Sequence, residues 1–263
     1  FDNKYTRVLT VSDVQRDNNG NIVASGGTLD LLTKKITSTV SWSFSPTRSN
    51  SVELTNYLTD YKKPFIGNWA SPSLESSFDL TSSNSGNSNS DGRSIAFANN
   101  KIYLGRDNSG GSEFYIFDVS APATPLLLGR RDLDGNPNSI VIKGNYAYIA
   151  STDNSQELQI IDISNPATID QASKLTSVDL TNGNSGDNNA NAIGLSLSGN
   201  YLIMVRDAGD EFLIFDLANP SNPGNPVGRT GSLSGNPNGV VALDNYAYVA
   251  STNNGEELQV FDV

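Results

Sequence analysis

Asn145-Tyr146-Ala147-Tyr148-Ile149-Ala150-Ser151-Thr152 returns later in the chain as Asn245-Tyr246-Ala247-Tyr248-Val249-Ala250-Ser251-Thr252. The copies extend in both directions. Upstream, Gly135-Asn136-Pro137-Asn138-Ser139-Ile140-Val141 matches Gly235-Asn236-Pro237-Asn238-Gly239-Val240-Val241. Downstream, Leu158-Gln159-Ile160-Ile161-Asp162-Ile163 matches Leu258-Gln259-Val260-Phe261-Asp262-Val263. Two copies of a second type alternate with these. One runs through Ile95-Ala96-Phe97, Ile102-Tyr103-Leu104-Gly105-Arg106-Asp107 and Phe114-Tyr115-Ile116-Phe117-Asp118-Val119. The other runs through Ile193-Gly194-Leu195, Tyr201-Leu202-Ile203-Met204-Val205-Arg206-Asp207 and Phe212-Leu213-Ile214-Phe215-Asp216-Leu217. First strands start near Ile95, Ile140, Ile193 and Val240, at spacings of 45, 53 and 47 residues, so the order is A, B, A′, B′.

Each repeat is a set of short apolar runs broken by Asn, Gly, Asp and Pro, which is strand-and-turn chemistry. Runs such as Tyr115-Ile116-Phe117 are apolar on both faces, as in a strand covered on both sides. No stretch has helical spacing with caps. A period of 40–50 residues with four strands per unit predicts an all-β chain folded as a four-bladed β-propeller. Repeat B leaves through Ser173–Asp187, whereas B′ stops at Val263 without such an exit strand. A match to the missing piece stands in front of repeat A, at Ser73–Asn87. The expectation is therefore that residues 73–81 form the outer strand of the last blade and close the ring against the C-terminal strand, which makes Val263 the natural end. A longer protein cut after Val263 is the alternative.

Composition bounds the chemistry. The 263 residues include no Cys and no His, one Met and two Trp. Histidine-dependent triads, His or thiolate zinc sites, iron–sulfur clusters and disulfide scaffolds are thereby excluded. The net charge of -11 argues against a duplex nucleic-acid partner. No apolar run is long enough to span a membrane, and no signal peptide is present in these residues. Residues 1–63 carry a net +2 and residues 64–263 a net -13, which suggests two domains split at Pro64.

The third strands, followed by Ser/Asn-x-Pro except in the last copy, together with Gly144-Asn145-Tyr146-Ala147-Tyr148-Ile149-Ala150, resemble the LVIVD-repeat family of bacterial β-propellers. That resemblance covers about residues 69–263. It implies a surface or secreted protein and transfers little biochemistry. In residues 1–63, Arg7–Asp17 alternates apolar and polar residues before an Asn-Asn-Gly-Asn turn, and Thr33–Trp42 and Ser51–Leu58 alternate likewise. This small antiparallel β-domain is similar to the sheet of type IV pilin-like proteins. The apolar helix and glutamate of such proteins are absent, and Asp2-Asn3-Lys4 does not match a pilin start. Phe1 then reads as the start of a trimmed, soluble piece, and the resemblance implies other pilin-like subunits as partners. A β-domain of another origin is the alternative.

In a blade of strands a to d, the b–c turns and d–a connections share one end. Here these are the long polar segments, and binding usually occupies loops on a rigid scaffold. The candidate ligand-binding residues are Asp91, Arg93, Arg106, Asp107, Asp134, Asn136, Asn138, Asp153, Arg206, Asp207, Asn236 and Asn238. The competing reading is that Asn, Asp and Gly satisfy tight turns, and that Arg106-Asp107 and Arg206-Asp207 brace neighbouring blades. Asp118, Asp162, Asp216 and Asp262 close every third strand and read as turn caps. Asp132–Asn136 and Asn87–Asp91 offer oxygens of the kind calcium takes, but neither has the twelve-residue loop pattern. No cofactor or catalytic residue is expected.

The leading expectation is a non-enzymatic extracellular, cell-surface or pilus protein whose propeller recognises an unknown protein or glycan. A filament spacer without a ligand is the alternative. A carboxylate-dependent hydrolase or lyase comes third and requires an inward-facing acid with a shifted pKa in a pocket.

Overall fold

A computed structural model describes residues 5–17, 21–45, 48–59, 71–80, 90–107, 110–180 and 189–263. The chain divides into two compact units, Phe1–Ser73 and Leu74–Val263. The candidate calcium oxygens at 87–89 lie outside the described residues.

The first unit is one antiparallel sheet built from β1 (Tyr5–Arg16), β2 (Ile22–Val23), β3 (Thr28–Ser45) and β4 (Arg48–Thr59), in the order β2-β1-β3-β4. Its register sets Tyr5 opposite Trp42, Leu9 opposite Ser38 and Val11 opposite Ile36, with a bulge between Asp13 and Val14. Residues 18–20 of the predicted turn lie outside the described residues; Asp17 N–H, on one side of them, donates to Asn21 O at 3.0 Å.

The second unit follows the repeats. Repeat A supplies β5 (Gly92–Ala98), β6 (Lys101–Arg106), β7 (Phe114–Asp118) and β8 (Leu126–Arg131). Repeat B supplies β9 (Pro137–Lys143), β10 (Tyr146–Ser151), β11 (Leu158–Asp162) and β12 (Leu175–Val178), with two short 3-10 turns between the last two. Repeat A′ supplies β13 (Ala192–Ser198), β14 (Tyr201–Arg206), β15 (Phe212–Asp216) and β16 (Gly228–Thr230). Repeat B′ supplies β17 (Pro237–Leu243), β18 (Tyr246–Ser251) and β19 (Leu258–Asp262). Each repeat is an antiparallel meander of consecutive strands. The first strands neighbour one another in series, β5 beside β9, β9 beside β13 and β13 beside β17.

The doubly apolar strands follow from this stacking, because each inner sheet is sandwiched. Tyr148, Leu158 and Ile160 pack with Leu195, Met204 and Phe215 of the next sheet. From the other face of the same strands, Ile149 and Ile161 pack with Tyr103, Phe114 and Ile116 of the previous one. The first hairpin of each repeat turns through left-handed residues, among them Asn99 (φ 51), Asn100 (φ 57) and Asp244 (φ 53). Asn and Asp tolerate that region better than other side chains.

One expectation is corrected. Among the described residues, 73–80 form no strand with β19, and the sheet β17-β18-β19 has three strands. Instead Phe78 packs edge-on against Phe117 of the first repeat at 4.9 Å, and Ser76 Oγ donates to Pro122 O at 2.7 Å. The aromatic contact draws the segment onto repeat A. The outer faces of the first and last sheets stay open, with Ile95 67% and Val260 53% exposed.

Candidate functional site

The b–c turns and d–a connections do meet at one end, joined in every repeat by a backbone bond from the b–c turn to the d–a segment. Thr152 N–H donates to Asn136 O at 3.1 Å and Asn136 N–H returns a bond to Thr152 Oγ1 at 2.8 Å. Asn236 and Thr252 repeat this pair at 2.9 Å each way. In repeat A′ an aspartate does the work of the threonine. Asp207 accepts from Asn191 N–H and Nδ2 at 2.6 and 2.8 Å, while Asp107 N–H donates to Asp91 O at 2.9 Å. Gly135 and Gly235 sit at φ +79 beneath these stitches, and a Cβ on Gly135 would meet Asp153 N at 2.5 Å.

At the start of each first strand the register slips by one residue, between Gly92 and Ser94, Pro137 and Ser139, Ala192 and Gly194, and Pro237 and Gly239. Such a bulge turns a side chain away from the regular pleat. The bulged residues are Arg93, Asn138, Ile193 and Asn238, carried by the strands that neighbour one another in series. Three of the four are polar. Arg93 Nη1 donates to Asp107 Oδ1 at 2.7 Å and Arg93 Nη2 to Asn138 Oδ1 at 2.8 Å. Asn138 Nδ2 donates in turn to Ala192 O at 2.7 Å. Arg93, Asn138 and Ala192 thus form a polar relay across three sheets, and Arg93 remains exposed. Asn238 and Asp91 are exposed on the same rim.

The other candidates separate from this cluster. Asp153 accepts from Ser155 within its own turn, at 2.9 Å from N–H and 2.8 Å from Oγ. Asp134 Oδ2 accepts from Gln156 Nε2 at 2.6 Å. Arg106 and Arg206 are 5% and 0% exposed, so neither reaches the polar surface. Arg106 bonds Tyr115 Oη at 3.1 Å and Ser90 O at 3.2 Å. Arg206 lies near Glu157 of the preceding sheet and favours its charged form. Both arginines are interior braces, Arg206 beside the preceding sheet and Arg106 held by Tyr115 and Ser90. Asp118, Asp162 and Asp216 cap their turns as expected, each accepting from the N–H two residues on at 2.8–2.9 Å. The Lys174 and Ser164 donors hold Asp162 at about 2.

A set of buried carboxylates escaped the sequence reading. Glu113, Glu157 and Glu211 accept the backbone N–H groups of Leu133, Leu180 and Leu233 at 2.8, 3.0 and 2.6 Å. Their signal was a Glu immediately before every third strand. Burial pushes Glu113 up to about 8, with nearby Asp132 adding to it, and burial raises Glu157 against the pull of Arg206. Two clefts among the described residues bear on this. One of about 260 Å³ lies among Phe78, Leu80, Leu104 and Arg106, and one of about 430 Å³ among Tyr201, Ile214, Val227 and Val263. Neither is lined by Glu113 or Glu157, so these acids act as backbone clasps between strands. Among the described residues no group of three or more acids gathers as a metal site would require.

The LVIVD repeat matches residues 94–132, 134–175, 190–226 and 234–263. No curated protein matches the chain. A protein from Lactobacillus plantarum is similar in structure at TM-score 0.53 and 14% identity, over 92% of this chain and 69% of that one. The periplasmic gluconolactonase PpgL of Pseudomonas aeruginosa is similar at TM-score 0.52 and 14% identity, over 99% of this chain and 78% of its own. At such identity the likeness establishes a propeller-type fold and nothing about activity.

Proposed function

The chain belongs to the LVIVD-repeat family, and on that footing we propose that its repeat unit is a non-enzymatic recognition head of an extracellular surface protein. The observation that carries this reading is the relay Arg93–Asn138–Ala192, which presents a fixed guanidinium, amide and Asp107 carboxylate at a rim braced by three sheets. Rigid donors and acceptors on a preformed surface suit a ligand rich in hydroxyls and carbonyls, because little freedom is lost on binding. A glycan fits that chemistry best, with a polar protein loop second. The most shifted acid, Glu113, clasps a backbone amide away from either cleft, which favours binding over hydrolysis.

In this reading the β1–β4 sheet is the attachment unit, partnering pilin-like subunits. Its support is an apolar face left uncovered, with Leu9, Val11 and Leu54 at least half exposed. A screen of the full chain on immobilised glycans and candidate host proteins tests the head. Arg93→Ala and Asn138→Ala are expected to weaken any captured ligand at least about tenfold, the loss of a charge-assisted contact. Binding unchanged by both substitutions overturns the rim as the site.

A further inference from the structure

The two open faces of the repeat unit have a covered counterpart in its middle. Where B meets A′, Leu158 (0% exposed) and Ile160 (1%) of one sheet pack with Leu195 (6%) and Met204 (0%) of the next. The corresponding residues of B′ are Leu258 and Val260, which are 64% and 53% exposed. The corresponding residue to Leu195 in repeat A is Ile95, which is 67% exposed. The same chemistry is therefore buried once and left open twice, at opposite ends of the array.

The strand pattern repeats too. In repeat B, β12 completes the sheet with Val178 opposite Leu158 and Ser177 opposite Gln159, and Val178 and Leu180 pack on the A′ face. Residues 76–80, Ser-Ser-Phe-Asp-Leu, match 176–180, Thr-Ser-Val-Asp-Leu. Phe78 already rests on Phe117, the equivalent of Phe215, and shares the smaller cleft with Leu104, the equivalent of Met204. The A end thus holds the sequence counterpart of β12, which forms no strand there, while β19 is the edge of a sheet with three strands among the described residues.

We propose that the occupant of these faces is a second copy of the chain, docked head to tail. The B′ sheet of one copy stacks on the A sheet of the other, and β19 takes residues 75–78 as its fourth strand. The backbone edge and the apolar face are both served by one contact. The contact is heterologous, and two copies supply eight sheets, within the range of closed propellers.

Light scattering on the full chain over a concentration series tests this, and a two-chain particle is expected. Val260→Asp and Ile95→Asp, both at exposed positions, are each expected to weaken association at least about tenfold with the circular dichroism unchanged. An equimolar mixture of the two variants is expected to recover a two-chain particle, since one intact B′ face then meets one intact A face. A monomer at all concentrations with β19 amides protected from exchange overturns the proposal, because the face is then covered within one chain. A monomer with those amides unprotected overturns it equally. Variants that fail to complement in the mixture point to a symmetric contact and also overturn it.

Discussion

The Glu113 carboxyl is fully buried, accepts the Leu133 N–H and stands near Asp132, and burial holds its pKa at about 8. In the unfolded chain the same group titrates near 4.5. Between those values the native state keeps a proton that the unfolded state has lost. Its contribution to stability is therefore complete below about pH 4.5 and lost as pH rises through 8. Glu113→Gln keeps the oxygen that accepts Leu133 N–H and removes the titration. Denaturant unfolding of the native chain is expected to weaken between pH 5 and 8, by at most a few kcal/mol. The Gln variant is expected to flatten that slope, and an unchanged slope would clear Glu113 of the role. The repeated Glu was visible in the sequence as a pattern. Its burial was not, because its partner amide, Leu133, lies twenty residues away just beyond the end of β8, and only the fold brings the two together.

At the scale of elements, the strands and the shared end of the b–c and d–a segments were legible from breakers and repeat spacing. The bulges were not, since a one-residue slip leaves no mark in composition; yet they decide that Arg93, Asn138 and Asn238 leave the pleat while Ile193 joins the core. The position of residues 73–80 was misjudged for a related reason. Strand-like sequence identifies a candidate fourth strand but not which sheet it lies against, and Phe78 chooses Phe117. One pair of equivalent glycines tests how closely elements approach. A Cβ on Gly129 would fall 1.9 Å from Pro166 O of the next repeat, whereas on Gly228 it would stand 3.3 Å from Ile214 Cδ1. Gly129→Ala is expected to cost about 2–4 kcal/mol, since backbone must move, and Gly228→Ala under about 1 kcal/mol. Thermal unfolding of the two variants checks the difference, and equal shifts would refute the close approach.

Over the whole repeat unit, each sheet packs on its neighbours in series, so stability is a sum of sheets and contacts between adjacent ones. The B and A′ sheets have partners on both faces, while B′ has one face open and a bare edge. Amide exchange at a concentration where the chain is dissociated is expected to be slowest in β10, β11, β14 and β15 and fastest in β19. Uniform protection across the repeats would contradict the serial arrangement. Composition contributed the exclusions, and the repeats contributed the fold; the charge split, +2 against -13, marks two chemically different units.

The alternation of repeat types has a consequence for how such chains can grow. Every stacked contact is of one of two kinds, A against B or B against A′. An A–B pair copied into the chain between B and A′ would meet only contacts it already makes on both sides. Length can then change in steps of two repeats with no new surface to adapt, whereas a single inserted repeat would set like against like.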